Sequence, residues 1–200
     1  GMASVNESIS TLAGFLMMSV PFIAGGMARG AMAIATPVKS GSKLLVSSFY
    51  SGSMLVELDD SRPRAKRLWH IQGSGERPNQ TLGLHSVITT PIIQGDYFYG
   101  TCSYGEFRGL NLTTGKRIWT NEKLTRQGRW GSAFLVAQRD RYFMINDVGE
   151  LLIMRFSPTG PEEIDRTKLI DPDTESGYGP QRYFNSVVNW CHPAFANRHV

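Results

Sequence analysis

A pattern of short strands and glycine turns between Gly95 and Trp119 recurs along this chain, and its recurrence limits the folds that are open to the chain. Within the pattern, three runs of aromatic and aliphatic residues are separated by turns that contain glycine. Runs of this kind are typical of antiparallel β-strands joined by tight turns. We therefore predict a three-stranded meander, with strands at Tyr97–Thr101, 107–112 and 117–119. A single meander cannot bury both of its faces by itself. The fold therefore depends on whether the sequence contains further copies of the meander that can pack against it.

Related segments begin at Thr36-Pro37, at Thr90-Pro91 and at Ala133, and a fourth begins at His192-Pro193. Pro37 and Pro91 are 54 residues apart, whereas Gly105 and Gly149 are 44 residues apart. A period of roughly 40 to 50 residues that contains several short strands is typical of propeller blades. We predict an all-β fold, a β-propeller of four-stranded antiparallel blades that stack through their aromatic side chains.

The predicted blades number about three, followed by one further strand that begins near His192. Closed propellers have roughly four to eight blades. We therefore expect either that the propeller is part of a longer protein or that this chain associates with itself to complete it.

The N-terminal segment differs from the repeats, because residues 8–28 carry no charged side chain. A run of this length can cross a bilayer as a helix, although Pro21 and Gly25-Gly26 would interrupt it. Small residues near 31–35 resemble a signal-peptidase site, and a buried helix is the third alternative. The segment also resembles, faintly, a membrane segment of conjugative-transfer TraG-like proteins. We divide the chain into an apolar segment at 1–34 and propeller blades at 35–200.

Charge and cysteine content exclude some classes of function. The net charge is +4, and the densest basic stretch, at 62–67, lies beside Asp59 and Asp60 and contains Pro63. We interpret this stretch as a solvated loop and expect no nucleic-acid partner. The two cysteines, Cys102 and Cys191, do not have the spacing of metal ligands, so no metal site is predicted. They also leave the redox compartment undetermined.

Residues 110–119 read Leu-Asn-Leu-Thr-Thr-Gly-Lys-Arg-Ile-Trp. This sequence resembles the pyrroloquinoline-quinone (PQQ) repeat, whose usual form is Ala-Leu-Asp-x-x-Thr-Gly-Lys-x-x-Trp. Gly115 suits the left-handed turn position of the repeat, and the resemblance implies that Trp119 packs between blades. The first unit keeps Trp69 but has a longer turn, and the third has no closing tryptophan. Over residues 35–200 the chain is similar to bacterial quinoprotein-like propellers of the outer-membrane and secreted type.

The resemblance implies two alternative functions. Many quinoprotein-like propellers carry the repeat without the cofactor, which suggests a non-catalytic module for binding or scaffolding in the cell envelope. The alternative is a fragment of a PQQ-dependent dehydrogenase, whose relatives hold Ca²⁺ with Glu, Asn and Asp and often contain a vicinal disulfide. This sequence has no Cys-Cys pair, and its acidic loop at 171–175 lacks a full Ca²⁺ ligand pattern. We therefore expect no cofactor. The resemblance also implies a periplasmic, secreted or membrane-anchored location, and residues 8–28 are the segment that would contact a membrane.

The segments that link one repeat to the next contain polar and aromatic residues that are unusual for plain turns. In a propeller these links lie on one face near the central channel, where ligands bind. We predict no catalytic residue, but a ligand site on that face; the alternative is that these tryptophans pack under loops and the histidines bond backbone carbonyls. The predicted ligand-binding residues are His85, Ser86, Arg129, Trp130, Asn189, Trp190 and His192.

Overall fold

The computed structural model describes residues 34–173, 188–197 and 199–200 of the chain. The apolar segment 1–34, with its three alternative interpretations, falls outside these residues except for Ile34. Among the described residues, no helix has the length and apolar character that a membrane crossing requires.

Three consecutive sheets, each of four antiparallel strands in chain order, make up the fold. Blade 1 contains β1 (Val38–Ser40), β2 (Lys43–Ser48), β3 (Gly52–Leu58) and β4 (Ala65–Ile71). Blade 2 contains β5 (Ile92–Gln94), β6 (Tyr97–Thr101), β7 (Phe107–Asn111) and β8 (Arg117–Asn121). Blade 3 contains β9 (Ala133–Gln138), β10 (Arg141–Asn146), β11 (Glu150–Ser157) and β12 (Gly160–Lys168). These meanders confirm the prediction of four-stranded antiparallel blades.

All three blades share an irregularity between their third and fourth strands. A β-bulge follows the pair Leu55–Trp69 in blade 1 and the pair Gly109–Trp119 in blade 2. In blade 3 the bulge follows the pair Ile153–Asp165. Bulges of this kind increase the local twist of a sheet, so the repeat extends to the backbone geometry. Asp165 occupies the position of the closing tryptophan in blade 3.

Blade 2 packs on both neighbours because adjacent residues of a strand point to opposite faces. Phe98 lies in the core shared with blade 1, together with Leu45 and Leu55. Tyr99 lies in the core shared with blade 3, together with Met144 and other apolar residues. The two cores are therefore separated by the thickness of one sheet.

The tryptophans join successive blades through the same contact. The Nε1–H group of Trp69 donates to the carbonyl oxygen of Leu112 in blade 2, at 2.9 Å. The Nε1–H group of Trp119 donates to the carbonyl oxygen of Ser157 in blade 3, also at 2.9 Å. Gly115 has φ = +69°, and a Cβ atom there would lie 2.6 Å from the side chain of Ile71. The repeat thus places glycine where the preceding blade packs, and the three four-stranded sheets have the architecture of propeller blades.

The prediction of a fourth inner strand after His192 is wrong for the described residues. Residues Ala196 and His199 form an isolated bridge around a turn, in which Asn197 has φ = +49°. The inner strands β1, β5 and β9 each pair with the strand that follows them, and the described residues supply no such partner here. The Phe195 ring instead packs on Phe143, with 4.8 Å between centroids, on the face of blade 3 that points away from blade 2.

Candidate functional site

One end of the three blades, which we call the loop face, carries the predicted residues His85, Ser86, Arg129, Trp130 and Asn189. In a four-stranded meander the second and fourth strands run in the same direction and end at the same edge of the sheet. The loops after the second strands therefore lie beside the links that lead to the next blade. We call residues 72–91 the first link and residues 122–132 the second link.

His85 and Ser86 lie in the first link, and neither has appreciable solvent exposure. The Nδ1–H group of His85 donates to the carbonyl oxygen of Phe49 at 2.8 Å, and its Nε2 accepts from the backbone N–H of Gly73 at 3.4 Å. Burial, together with nearby Arg108 and His70, lowers the pKa of His85 to about 4 despite the bond to Phe49. His85 and Ser86 therefore support the loop face from beneath.

Arg108, which was not predicted from the sequence, holds the first link against blade 2. Its side chain is completely buried, and its Nε and one terminal nitrogen donate to the carboxylate of Glu106. Its other hydrogen bonds go to backbone carbonyls of the first link, those of Pro78, Thr81 and Gly83. A buried arginine is stable only when its charge is paired and its donors are bonded. Arg108 thus fixes the path of the first link.

Arg129 and Trp130, in the second link, form the centre of a second group on this face. The Arg129 guanidinium lies over the rings of Phe49 and Trp130, at 5.4 and 4.9 Å from their centroids. Phe49 is completely buried and stacks on Trp130 at 5.3 Å. Cation–π contacts of this geometry are favourable. Residues from the blade 1 loop and the second link are thus in direct contact.

Hydrogen bonds extend this group to the first link and to blade 2. Arg129 donates to the carboxylate of Glu76 at 2.7 Å, and its distance to the Tyr50 hydroxyl is 3.4 Å. The Tyr104 hydroxyl donates to the same carboxylate at 3.0 Å. Burial and this bond to Glu76 raise the pKa of Tyr104. We call this group the aromatic–arginine cluster, and its members are Phe49, Tyr50, Glu76, Tyr104, Arg129 and Trp130.

Two of the remaining predicted residues, Asn189 and His192, contact blade 3. The backbone N–H of Asn189 donates to the carbonyl oxygen of Asp147 at 2.8 Å, and the Asn189 side chain is buried. The His192 ring lies edge-on to Phe134 at 5.6 Å, and Trp190 is 37% exposed. Burial raises the pKa of the Asp147 carboxyl group. The structure therefore connects His85 to Arg129 and Trp130 through Phe49, and it places Asn189 and His192 beside blade 3.

Neither a vicinal disulfide nor a group of His, Cys, Asp and Glu side chains suited to a metal ion is found among the described residues. Cys102 is a buried free thiol and Cys191 an exposed one, so neither contributes to a vicinal disulfide. Within the described part of the chain, no three His, Cys, Asp or Glu side chains are grouped so that they could hold a metal ion. We therefore assign no reaction step through PQQ or Ca²⁺ to these residues.

No protein-family model matches the sequence, and no curated protein matches it. Similar solved structures include BamB from Moraxella catarrhalis, at 16% identity and a TM-score of 0.46 over 69% of this chain and 35% of that one. Quinohemoprotein alcohol dehydrogenase from Comamonas testosteroni aligns at 18% identity and a TM-score of 0.47, over 77% of this chain and 22% of that one. A europium-containing methanol dehydrogenase aligns at 12% identity and a TM-score of 0.43, over 72% and 27% of the two chains. The aligned part of this chain covers between 22% and 35% of the length of these three proteins.

Proposed function

We propose that this chain is a non-catalytic binding module and that its ligand contacts the aromatic–arginine cluster. The observation that carries the proposal is the convergence of three chain segments on one group of side chains. Phe49 comes from the loop of blade 1, Glu76 from the first link, and Arg129 with Trp130 from the second link. A site assembled from loops on a rigid scaffold is the usual arrangement for recognition.

The cluster has the mixed chemistry that ligand recognition requires. Arg129 and Glu76 are 26% and 27% exposed, so both remain accessible to a ligand while they are bonded to each other. Trp130, Tyr50 and Tyr104 are partly buried and offer aromatic surface beside these charges. Aromatic and arginine side chains are enriched at the energetic centres of binding surfaces. The buried Phe49 and His85 beneath them limit the entropy that binding would cost.

A quinone-dependent dehydrogenase is the alternative function, and it is favoured by the repeat that contains Gly115 and Trp119. The experiment that separates the two functions is reconstitution of the purified chain with PQQ and Ca²⁺. We expect no cofactor absorbance to remain with the protein after gel filtration, and no alcohol-dependent reduction of a dye. A reconstituted quinoprotein dehydrogenase serves as the positive control. Retained cofactor together with dye reduction would overturn the proposal in favour of the dehydrogenase.

We further propose that the module works in the cell envelope, as a periplasmic, secreted or membrane-anchored protein. The support for this location is the uncharged segment at residues 8–28 and the likeness of the repeat to envelope propellers. A weaker alternative is that the chain is a membrane-anchored component of a transfer apparatus. Cell fractionation tests the proposed location. Recovery of the whole protein in the soluble cytosolic fraction would exclude both an anchor and a signal.

A further inference from the structure

The charges of the aromatic–arginine cluster restrict the class of ligand that it can accept. Arg129 and Glu76 form an ion pair at 2.7 Å, and the two side chains are exposed to nearly the same extent. An anionic ligand would compete with Glu76 for the guanidinium and would then lie beside a carboxylate. A cationic ligand would compete with Arg129 in the same way. Because like charges at close range repel, the paired cluster disfavours both kinds of ligand.

The same pair can bind a ligand that carries hydroxyl groups without being separated. A carboxylate can accept several hydrogen bonds and a guanidinium can donate five. The hydroxyls of Tyr50 and Tyr104 lie next to the pair, at 3.4 Å from Arg129 and 3.0 Å from Glu76. Hydrogen-bond donors and acceptors of Arg129, Glu76 and the two tyrosine hydroxyls therefore lie within a few ångströms of one another.

Aromatic rings border these polar groups and complete the chemistry of the site. The faces of aromatic rings carry partial negative charge and attract the weakly positive C–H groups of a ligand. Trp130 is held in place by its stacking on the buried Phe49, whose carbonyl oxygen is bonded by His85. A fixed aromatic surface beside paired donors and acceptors matches a sugar ring, which has C–H groups on its faces and hydroxyl groups around its edge.

We propose that the aromatic–arginine cluster binds a neutral saccharide. The proposal rests on the proposed function, because it names the ligand class of the same site. In it, the sugar ring packs against Trp130, and neighbouring hydroxyl groups bond Arg129 and Glu76 together.

Titration of the full chain with neutral hexasaccharides tests the proposal. The probes are maltohexaose, cellohexaose and chitohexaose, with hexagalacturonic acid and hexameric chitosan as charged comparators. Binding is measured by tryptophan fluorescence and by saturation-transfer NMR. We expect at least one neutral probe to bind, with an affinity that changes less than twofold between low and high salt. The charged comparators are expected to bind at least tenfold more weakly.

Variants locate the binding on the cluster. Trp130→Ala is expected to weaken binding at least tenfold, and Glu76→Gln about threefold to tenfold. Glu76→Gln is the second variant because Glu76 is partly exposed, so its loss leaves the core intact. Leu82→Ala and Glu122→Gln, which change exposed residues of the first and second links, are the matched controls and should bind as the wild type does. Circular dichroism confirms that each variant is folded.

The possible failures are distinguishable. If no neutral hexasaccharide binds, or if binding is unchanged in both Trp130→Ala and Glu76→Gln, the saccharide proposal is wrong. Preferential binding of a charged comparator that depends on Trp130 would overturn the ligand class and leave the binding function standing. Cofactor retention and dye reduction in the PQQ reconstitution would overturn the binding function itself.

Discussion

The first and second links occupy the same position in successive repeats, but the polar residues predicted in them, His85 and Ser86 in the first and Arg129 in the second, lie in opposite environments. In the first link, His85 and Ser86 are completely buried, and the His85 ring bonds the backbone of Phe49 in blade 1 and of Gly73 in the same link. In the second link, Arg129 keeps about a quarter of its side chain exposed beside Trp130. Residues at equivalent positions of the repeat thus lie on the same face of the blades but differ in their burial and in their contacts.

The difference arises from what lies beneath each link. The first link passes over the buried guanidinium of Arg108, which bonds three of its carbonyl groups. The second link is fixed through the loop of blade 2, where Thr125 and Gln127 donate to the carbonyl oxygen of Gly105. These bonds lie before Arg129 and Trp130 in the chain. Arg129 and Trp130, which follow these bonds in the chain, are left partly exposed.

Loss of Arg108 should have the largest effect on stability of the changes considered, because the first link would no longer be held against blade 2. Arg108→Met leaves the carboxylate of Glu106 buried beside only Arg117, at 3.6 Å, and removes the donors for three carbonyl groups. Breaking a buried ion pair in this way costs about 3–5 kcal/mol. We expect a decrease of this size in the free energy of unfolding, measured by urea denaturation.

Arg117→Met is the matched control for Arg108, because Arg117 approaches the same carboxylate from the surface. Its side chain is 36% exposed, and exposed ion pairs contribute about 0–1 kcal/mol. If Arg108→Met itself does not fold, Arg108→Lys keeps the charge and gives a measurable intermediate. Equal effects of the changes at 108 and 117 would contradict the assigned role of Arg108.

The strands of this fold were largely predictable from the sequence. Glycine turns and the alternation of apolar and polar residues are set by neighbouring residues in the chain, so they can be recognised without knowing the tertiary structure. The strand at Tyr97–Thr101 has the predicted bounds, and Trp119 packs on the next blade as the repeat implies. The failure at His192 has a physical cause. A segment that resembles an inner strand forms one only when a neighbouring strand accepts its backbone hydrogen bonds.

The site was predictable only in part. Arg108 follows the buried Phe107 in β7, so alternation places it on the face toward blade 1, and Glu106 shares that face two residues earlier. That pair could have been found from the sequence. The sequence could not distinguish the buried His85 from the exposed Arg129, since irregular links have no periodicity. The contact of Phe49 with Trp130 joins residues far apart in sequence and depends on how the blades stack.

The buried His85 should make the stability of the chain depend on pH. The pKa of His85 in the folded chain is about 4, compared with about 6.5 for an unperturbed histidine. Between these values the unfolded chain binds the additional proton, so stability falls as the pH falls from about 6.5 to about 4. The full difference corresponds to about 3 kcal/mol. Urea denaturation at a series of pH values measures it.

His85→Asn isolates this contribution, because the asparagine amide can donate to Phe49 but does not titrate in this range. We expect the variant to be less stable at neutral pH and to lose about 3 kcal/mol less than the wild type on acidification. His199→Asn changes an exposed histidine and should follow the wild type. A variant at position 85 with an unchanged pH dependence would show that His85 is not buried in its neutral form.

Glu76→Gln should have the smallest effect on stability, although Glu76 joins the two links directly. The carboxylate bonds both Arg129 and Tyr104, but the ion pair is partly exposed and therefore screened by solvent. Pairs of this kind contribute about 0–1 kcal/mol, and the glutamine keeps an acceptor for both donors. We expect a decrease in the free energy of unfolding of less than about 1 kcal/mol by urea denaturation, with Glu122→Gln as the control. A loss as large as that of Arg108→Met would mean that Glu76 and Arg129 hold the fold together as Arg108 does. The contrast between the buried His85 and the partly exposed Arg129 would then no longer separate a structural role from the proposed binding role, and the reason for proposing a ligand on Arg129 would be lost.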